Sequence, residues 1–97
     1  MLITYELLES NNASQLMINY FKSLEKQEWD LLELVDRCIE DREGYYVYFL
    51  FKFADKSNFE TIVEKFIVAG YDLYYAFEYC KDLPFLKEVM EKCEVRV

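Results

Sequence analysis

The chain of 97 residues contains no histidine, two glycines and one proline. Without histidine it lacks the commonest general base and a common nitrogen ligand for metals. Gly44 and Gly70 stand alone and form no phosphate-binding loop, which needs several glycines close together. The acidic residues do not follow the spacing of a calcium-binding loop. We therefore predict a protein that is not an enzyme and that holds no cofactor and no metal ion.

Long hydrophobic runs are also missing. The longest run, residues 45–51, has seven residues, whereas a membrane-spanning helix needs ~20. The first ten residues, MLITYELLES, carry no basic segment of the kind that begins a secretory signal peptide. Three cysteines, Cys38, Cys80 and Cys93, show no C-x-x-C spacing and fit neither a disulfide framework nor a zinc site. These features predict a cytoplasmic protein, of a cell or of an infected host cell, with reduced and buried thiols.

Aromatic side chains are abundant instead. Nine Tyr, eight Phe and one Trp make up 19% of the chain, and hydrophobic residue types reach 54%. This composition excludes a disordered chain and provides one domain, residues 1–97, with a core. The net charge is −8, from 19 acids against 11 bases. Such a charge disfavours direct binding to nucleic acid or to a membrane, and predicts a protein partner with a basic or neutral surface.

Three segments share one pattern, which is aliphatic, aliphatic or Met, acid, base, then Cys or Phe. They are residues 34–38, 62–66 and 89–93, spaced by 28 and 27 residues, with a faded copy at 7–11. A fixed period of this length indicates stacked repeats, each too small to bury its apolar face alone. The predicted units are residues 14–43, 44–70 and 71–97, with a half-unit at 1–13.

Helical periodicity surrounds these segments. Apolar residues recur at i, i+3, i+4, i+7 and i+8. They are Leu31, Leu34, Val35, Cys38 and Ile39 in the first stripe, and Phe59, Ile62, Val63, Phe66 and Ile67 in the second. Gly44 and Gly70 follow these helices at places where a positive φ is common, and Asn58 is placed to cap the second helix.

Residues 45–53 are the ambiguous part of this pattern. Their Tyr, Val and Phe residues lack a clear period, and such a run also suits a buried strand. Their alignment with residues 72–81 at a spacing of 27 favours a helix. We therefore predict an all-α fold, a stack of about three helix-loop-helix repeats of 27–28 residues. The alternative is an α+β fold with residues 45–53 as a strand.

Residues 62–73, IVEKFIVAGYDL, resemble the second helix and turn of an ankyrin repeat, which reads roughly IVELLLEAGADV. Ankyrin repeats have ~33 residues and begin their first helix with T-P-L-H. This chain has a shorter period and no such tetrapeptide, so it resembles a contracted, degenerate ankyrin-type array without the β-hairpin. The resemblance implies partner binding without catalysis.

Tyrosines cluster at the starts of two equivalent segments. The cluster contains Tyr45, Tyr46, Tyr48, Tyr71, Tyr74 and Tyr75. In a stack these residues share one edge, and tyrosine is enriched in binding hot spots. We therefore predict a partner-binding site at Tyr46, Tyr48, Tyr74 and Tyr75. The alternative is that the rings fill the core while their hydroxyls reach solvent.

An acidic face lies opposite the first apolar stripe. Its members are Glu33, Asp36, Glu40 and Glu43, at steps of three and four residues along a helix predicted over residues 30–43. A solvated helix face is the ordinary interpretation of such a charge run. The functional interpretation is a docking face for a basic surface.

The prediction for function is thus a small acidic interaction module, an adaptor or an inhibitor. One alternative is an acidic inhibitor, of the kind that phages encode, that mimics nucleic acid and blocks a basic protein. A further alternative is a self-assembling structural protein, such as a homodimer that joins through the end of the repeat array.

Overall fold

The structure is a computed structural model that describes residues 1–71 together with Glu88 and Glu91. Helices predominate in this part of the chain. In order, the elements are β1 (Leu2–Thr4), α1 (Tyr5–Ser10), α2 (Gln15–Ser23), β2 (Glu28–Asp30), α3 (Leu31–Glu40), α4 (Gly44–Leu50), a 3-10 turn (Phe51–Phe53) and α5 (Lys56–Ala69). The prediction of a mostly helical protein is confirmed here. The predicted third unit, 71–97, lies outside the described residues except for three positions.

The strand alternative for residues 45–53 is wrong, because α4 and the 3-10 turn occupy this segment. Val47, Tyr48, Leu50 and Phe51 are all buried, whereas Tyr45 is 70% exposed. Burial at i, i+3 and i+4 is the pattern of a helix with one face in the core. Packing thus overrides the strand propensity of the β-branched and aromatic residues.

A two-stranded antiparallel sheet was not predicted. Its strands β1 and β2 place Ile3 opposite Trp29, and both side chains are buried. The Leu31 backbone N–H donates to the Met1 carbonyl oxygen at 2.9 Å, which extends the pairing to the start of α3. The fold is therefore broadly all-α with a small sheet. Strands of three residues are too short for alternation to show in the sequence.

The helix ends follow local chemistry, with two differences from the prediction. Asp55 caps α5, since its carboxylate accepts from the Asn58 backbone N–H at 2.8 Å, so that Asn58 is not the cap. Gly70 ends α5 at φ 84°, as predicted. At the end of α3 the positive φ belongs to Arg42 (59°). Gly44 is instead the first residue of α4.

The core is built around three fully buried phenylalanines, Phe51, Phe59 and Phe66. The ring centroid of Phe51 lies 4.8 Å from that of Phe59 and 5.6 Å from that of Phe66. The apolar stripes predicted on α3 and α5 face this core, with Ile39 and Ile67 half-buried at its border. Helix α3 lies against both α4 and α5.

Candidate interaction groove

A groove of about 410 Å³ runs between the turn that joins α1 to α2 and the outer side of α4. Ligand sites in proteins commonly have volumes of ~300–1,000 Å³. We call this feature the aromatic groove. Its lining residues are Asn11, Asn12, Ser14, Met17, Tyr45, Tyr46, Phe49 and Lys52.

One wall of the aromatic groove is a stripe along α4. Tyr45 and Phe49 are four residues apart and therefore lie on one side of α4, and Lys52 follows three residues later in the 3-10 turn. Tyr45 is 70% exposed, although its ring meets the edge of the Tyr48 ring at 6.2 Å. The Phe49 ring packs against Phe53 at 5.8 Å. The exposed Tyr45 ring is therefore held in place by packing against the buried Tyr48 ring.

Tyr46 forms the inner part of the aromatic groove. Its half-buried ring is stacked on the Tyr20 ring at a centroid distance of 5.2 Å. Burial raises the pKa of Tyr46, and the neighbouring Glu43 carboxylate raises that pKa further. Tyr46 therefore stays protonated at neutral pH and presents both a hydroxyl group and a ring face.

Lys52 is the charged lining residue of the aromatic groove. Its ammonium nitrogen lies 4.0 Å from the centroid of the Phe49 ring, a distance suited to a cation–π contact. Within the described part of the chain, Lys52 has no ion pair. On the opposite wall Asn12 adopts a positive φ of 62°, a backbone conformation that asparagine tolerates better than most residues.

A polar network supports Tyr20, and through it Tyr46. The Tyr20 hydroxyl donates to Asp41 Oδ2 at 2.7 Å, and Arg37 Nε donates to the same oxygen at 2.9 Å. The rest of the Arg37 guanidinium binds both carboxylate oxygens of Glu25 at 2.7 and 2.8 Å. The pKa of Asp41 is lowered by its hydrogen bonds from Tyr20 and Arg37. The pKa of Glu25 is lowered by its hydrogen bonds from Arg37.

The structure separates the tyrosines that the sequence grouped together. Tyr46 lines the aromatic groove. Tyr48 is only 7% exposed and meets the Phe66 ring edge-on at 5.3 Å, so it belongs to the core rather than to the surface. Tyr74 and Tyr75 lie outside the described residues. The exposed ring at this edge is that of Tyr45.

Sequence reasoning missed most of the groove. Phe49 and Lys52 continue the stripe that begins at Tyr45, a spacing that becomes informative once a helix is assumed for this segment. Asn12 and Ser14 come from a different part of the chain. No local pattern predicts which turn will face α4.

The predicted acidic face is less continuous than its spacing indicates. Glu33 pairs with Lys26 at 2.8 Å, and Asp36 pairs with Lys65 at 2.7 Å. Glu40 is exposed at the end of α3. Glu43 lies beyond that end, because α3 stops at Glu40 and not at residue 43. Two of the four acidic side chains are thus paired with lysines, and Glu43 lies outside α3.

The cysteine at position 38 is a core residue, as predicted. It is 1% exposed, and burial raises its pKa to about 12. A thiol with such a pKa is almost entirely protonated at neutral pH, and therefore unreactive. Cys80 and Cys93 lie outside the described residues.

Two kinds of site are not found among the residues that the structure describes. No cluster of three or more Cys, Asp or Glu side chains there could hold a metal ion. No helix in residues 1–71 has both the length and the apolar character that crossing a membrane requires. Comparison with protein-family models, with curated protein sequences and with solved structures found no match.

Proposed function

We propose that this protein is a small acidic interaction module, without catalytic activity, that binds another protein through the aromatic groove. The observation that carries the proposal is the 70% exposure of Tyr45 beside Tyr46 and Phe49. Large aromatic side chains dominate binding energy where they are rigid and can be desolvated by a partner. The partner presents a basic or neutral surface, because the chain carries a net charge of −8.

The buried core includes Met17 of the groove lining but none of the aromatic residues of the groove. Twenty apolar side chains of the described residues are buried, and neither Tyr45 nor Phe49 is among them. Truncation of Tyr45 therefore has little effect on folding but removes contact area from the groove. Residues that add little to stability yet remain aromatic and exposed are good markers of a contact surface.

We also propose that the chain is an array of helical repeats of ankyrin-like character. Helices α2 and α3 form the unit 14–43, and α4 and α5 form the unit 44–70. Cys38 and Phe66, which are 28 positions apart in the sequence, are both buried in the core. Equivalent burial at this spacing supports the repeat, since stacked units place corresponding residues in corresponding environments.

The acidic inhibitor that mimics nucleic acid has less support than the groove. Its stripe would need four free carboxylates, but Lys26 and Lys65 pair with two of them. An adaptor or inhibitor that acts through Tyr45 and its neighbours needs no such stripe. The proposed compartment remains the cytoplasm.

Site-specific photo-crosslinking tests the interaction module. A photoreactive phenylalanine is placed at position 45, and a matched control carries it at Val68, which is 89% exposed on α5. In lysate, we expect a crosslinked species at position 45 that is absent at position 68. Excess wild-type protein should compete for it, whereas Tyr45→Ser protein should not. Equal crosslinking at both positions, or none at position 45, contradicts the proposal.

A further inference from the structure

The first turn of α4, which carries Tyr46, is held only weakly by local interactions. Helix α4 has seven residues, and the preceding residue, Glu43, makes no side-chain capping hydrogen bond to it. A helix of this length is unstable unless the rest of the protein packs against it. The position of this turn, and of Tyr46 in the aromatic groove, therefore depends on tertiary contacts.

Tyr20 supplies one of these contacts from outside the aromatic groove. Its ring lies on α2 and is stacked on the Tyr46 ring, with a centroid distance of 5.2 Å and an interplanar angle of 30°. Tyr20 itself does not line the groove. Rings stacked at this distance attract each other and restrict each other's orientation. A movement of the Tyr20 ring is therefore passed on to Tyr46.

The hydroxyl group of Tyr20 fixes the orientation of its ring. It donates to Asp41 Oδ2 at 2.7 Å. Burial raises the pKa of Tyr20, and the hydrogen bond to Asp41 raises this pKa further. The pKa of Asp41 is lowered by its hydrogen bonds from Tyr20 and Arg37. At neutral pH the hydroxyl group thus remains a donor and the carboxylate an acceptor.

Arg37 holds this acceptor in place. Its Nε donates to Asp41 Oδ2 at 2.9 Å, and its two other nitrogens donate to the two Glu25 oxygens at 2.7 and 2.8 Å. Paired hydrogen bonds of this kind are strongly directional. The side chains of Arg37, Asp41 and Glu25 are 28%, 34% and 65% exposed, and ion pairs this accessible to solvent add little to stability. The network therefore contributes more to geometry than to stability.

We propose that Tyr20 is a positioning residue of the aromatic groove, and that Asp41 and Arg37 act through it. The hydrogen bond to Asp41 fixes the Tyr20 ring, and the stacked Tyr46 ring then keeps the orientation in which it meets a partner. A side chain that is already immobilised loses less entropy when the partner binds, so the affinity is higher. This inference rests on the proposed function, because it explains how residues outside the groove prepare that groove for binding.

Fluorine NMR of the intact chain tests the positioning without any partner. Fluorotyrosine is incorporated at position 46 alone, and its fluorine resonance is compared between wild type, Tyr20→Phe and Tyr5→Phe. Tyr20→Phe keeps the ring but removes the hydroxyl group, so we expect the resonance to move toward its position in the urea-unfolded chain. Tyr5→Phe is the matched control and should leave the resonance unchanged. The Tyr5 hydroxyl also donates to a carboxylate, that of Glu9, but Tyr5 does not line the groove.

A second set of variants tests the network behind Tyr20. Arg37→Met removes the group that holds Asp41, so it should move the Tyr46 resonance in the same direction as Tyr20→Phe. Arg42→Met removes the same charge and should not move it. Asp55→Ala lowers stability through the cap of α5 and should also leave the resonance unchanged, which separates positioning from loss of stability. A shift with Tyr20→Phe but not with Arg37→Met overturns the role of Arg37. Circular dichroism checks that each variant is folded.

Crosslinking then connects the position of Tyr46 to binding. The photoreactive phenylalanine at position 45 is combined with Tyr20→Phe or with Tyr5→Phe, at a protein concentration below saturation. The yield of the species that crosslinks to the wild-type background in lysate is compared. We expect Tyr20→Phe to lower this yield about twofold to tenfold, the range expected for the loss of one hydrogen bond. Tyr5→Phe should leave the yield unchanged.

The outcomes separate the inference from the proposed function. An unchanged Tyr46 resonance in Tyr20→Phe, or an equal shift in Tyr5→Phe, overturns the positioning role. A shifted resonance with an unchanged crosslinking yield overturns the connection to binding and leaves the interaction module standing. A wild-type background without any crosslinked species overturns the proposed function, and the fluorine resonance alone then decides whether Tyr20 positions Tyr46.

Discussion

The ring of Tyr71 closes over the main chain at Gly44. A Cβ atom at position 44 would lie 2.4 Å from Tyr71 Cε1 and 2.5 Å from Cζ. The Tyr71 ring is itself stacked on Phe66 at a centroid distance of 4.9 Å. Glycine is therefore required at this position by close packing at the start of α4, and not by a positive φ.

Gly44→Ala is expected to destabilise the protein by ~1–3 kcal/mol, because the new methyl group displaces the Tyr71 ring from Phe66. Urea denaturation measures this change. The matched background is the Tyr71→Ala variant, which lacks the ring. In that variant Gly44→Ala should leave the free energy of unfolding unchanged or raise it by up to ~1 kcal/mol, because alanine has a higher helix propensity than glycine. An equal cost in both backgrounds would contradict the packing explanation.

Tyr45 and Tyr48 are three residues apart and differ in their roles. Tyr48→Ala should cost ~3 kcal/mol or more, because it empties a buried position beside Phe66. Tyr45→Ala should change stability by no more than ~0.5 kcal/mol, since its ring is mostly exposed. Denaturant unfolding of the two variants provides the comparison. Similar costs for both would place Tyr45 in the core.

Arg37 makes stability dependent on pH. The pKa values of Glu25 and Asp41 are lowered in the folded protein, so the stabilisation is present above their unfolded values of ~4. It is lost as pH falls through the folded pKa values. We therefore expect wild type to be more stable than Arg37→Met at pH 7, with the difference shrinking below about pH 4.

Urea unfolding of wild type and Arg37→Met between pH 7 and pH 2.5 measures this difference. The control is Arg42→Met, which removes the same charge from a residue without an ion pair among those that the structure describes. The difference in free energy of unfolding between Arg42→Met and wild type should vary less with pH. A gap for Arg37→Met that stays constant down to pH 2.5 would show that the carboxylates are not the source of its effect.

The cap of α5 offers a direct choice between two residues. Asp55→Ala should cost ~1 kcal/mol, because the Asn58 backbone N–H loses its acceptor. Asn58→Ala should be neutral or slightly stabilising, since its side chain caps nothing and alanine has the higher helix propensity. The midpoints of thermal unfolding of the two variants show which residue caps α5. A larger loss for Asn58→Ala would favour the cap predicted from sequence.

The parts of the fold that were predictable depend on contacts within one helix. The stripes on α3 and α5 repeat over two or more turns, and most of their residues are buried as expected. Gly70 ends α5 at a positive φ because the chain must leave the helix there, which is a local requirement. The groove was only half predictable, since one wall lies on α4 and the other lies on the turn after α1.

The sequence by itself determined a mostly helical fold with an aromatic core, because periodicity, composition and helix ends are properties of short stretches of chain. The repeat spacing favoured a helix for residues 45–53 and left a strand as the alternative. Tertiary structure excluded the strand, since local propensity fits either conformation until the segment packs against α3 and α5. It also decided the pairing of Ile3 with Trp29, which lie far apart in the chain. Above all it decided that Tyr48 is buried and Tyr45 exposed, because neighbouring helices determine which side of α4 faces the core.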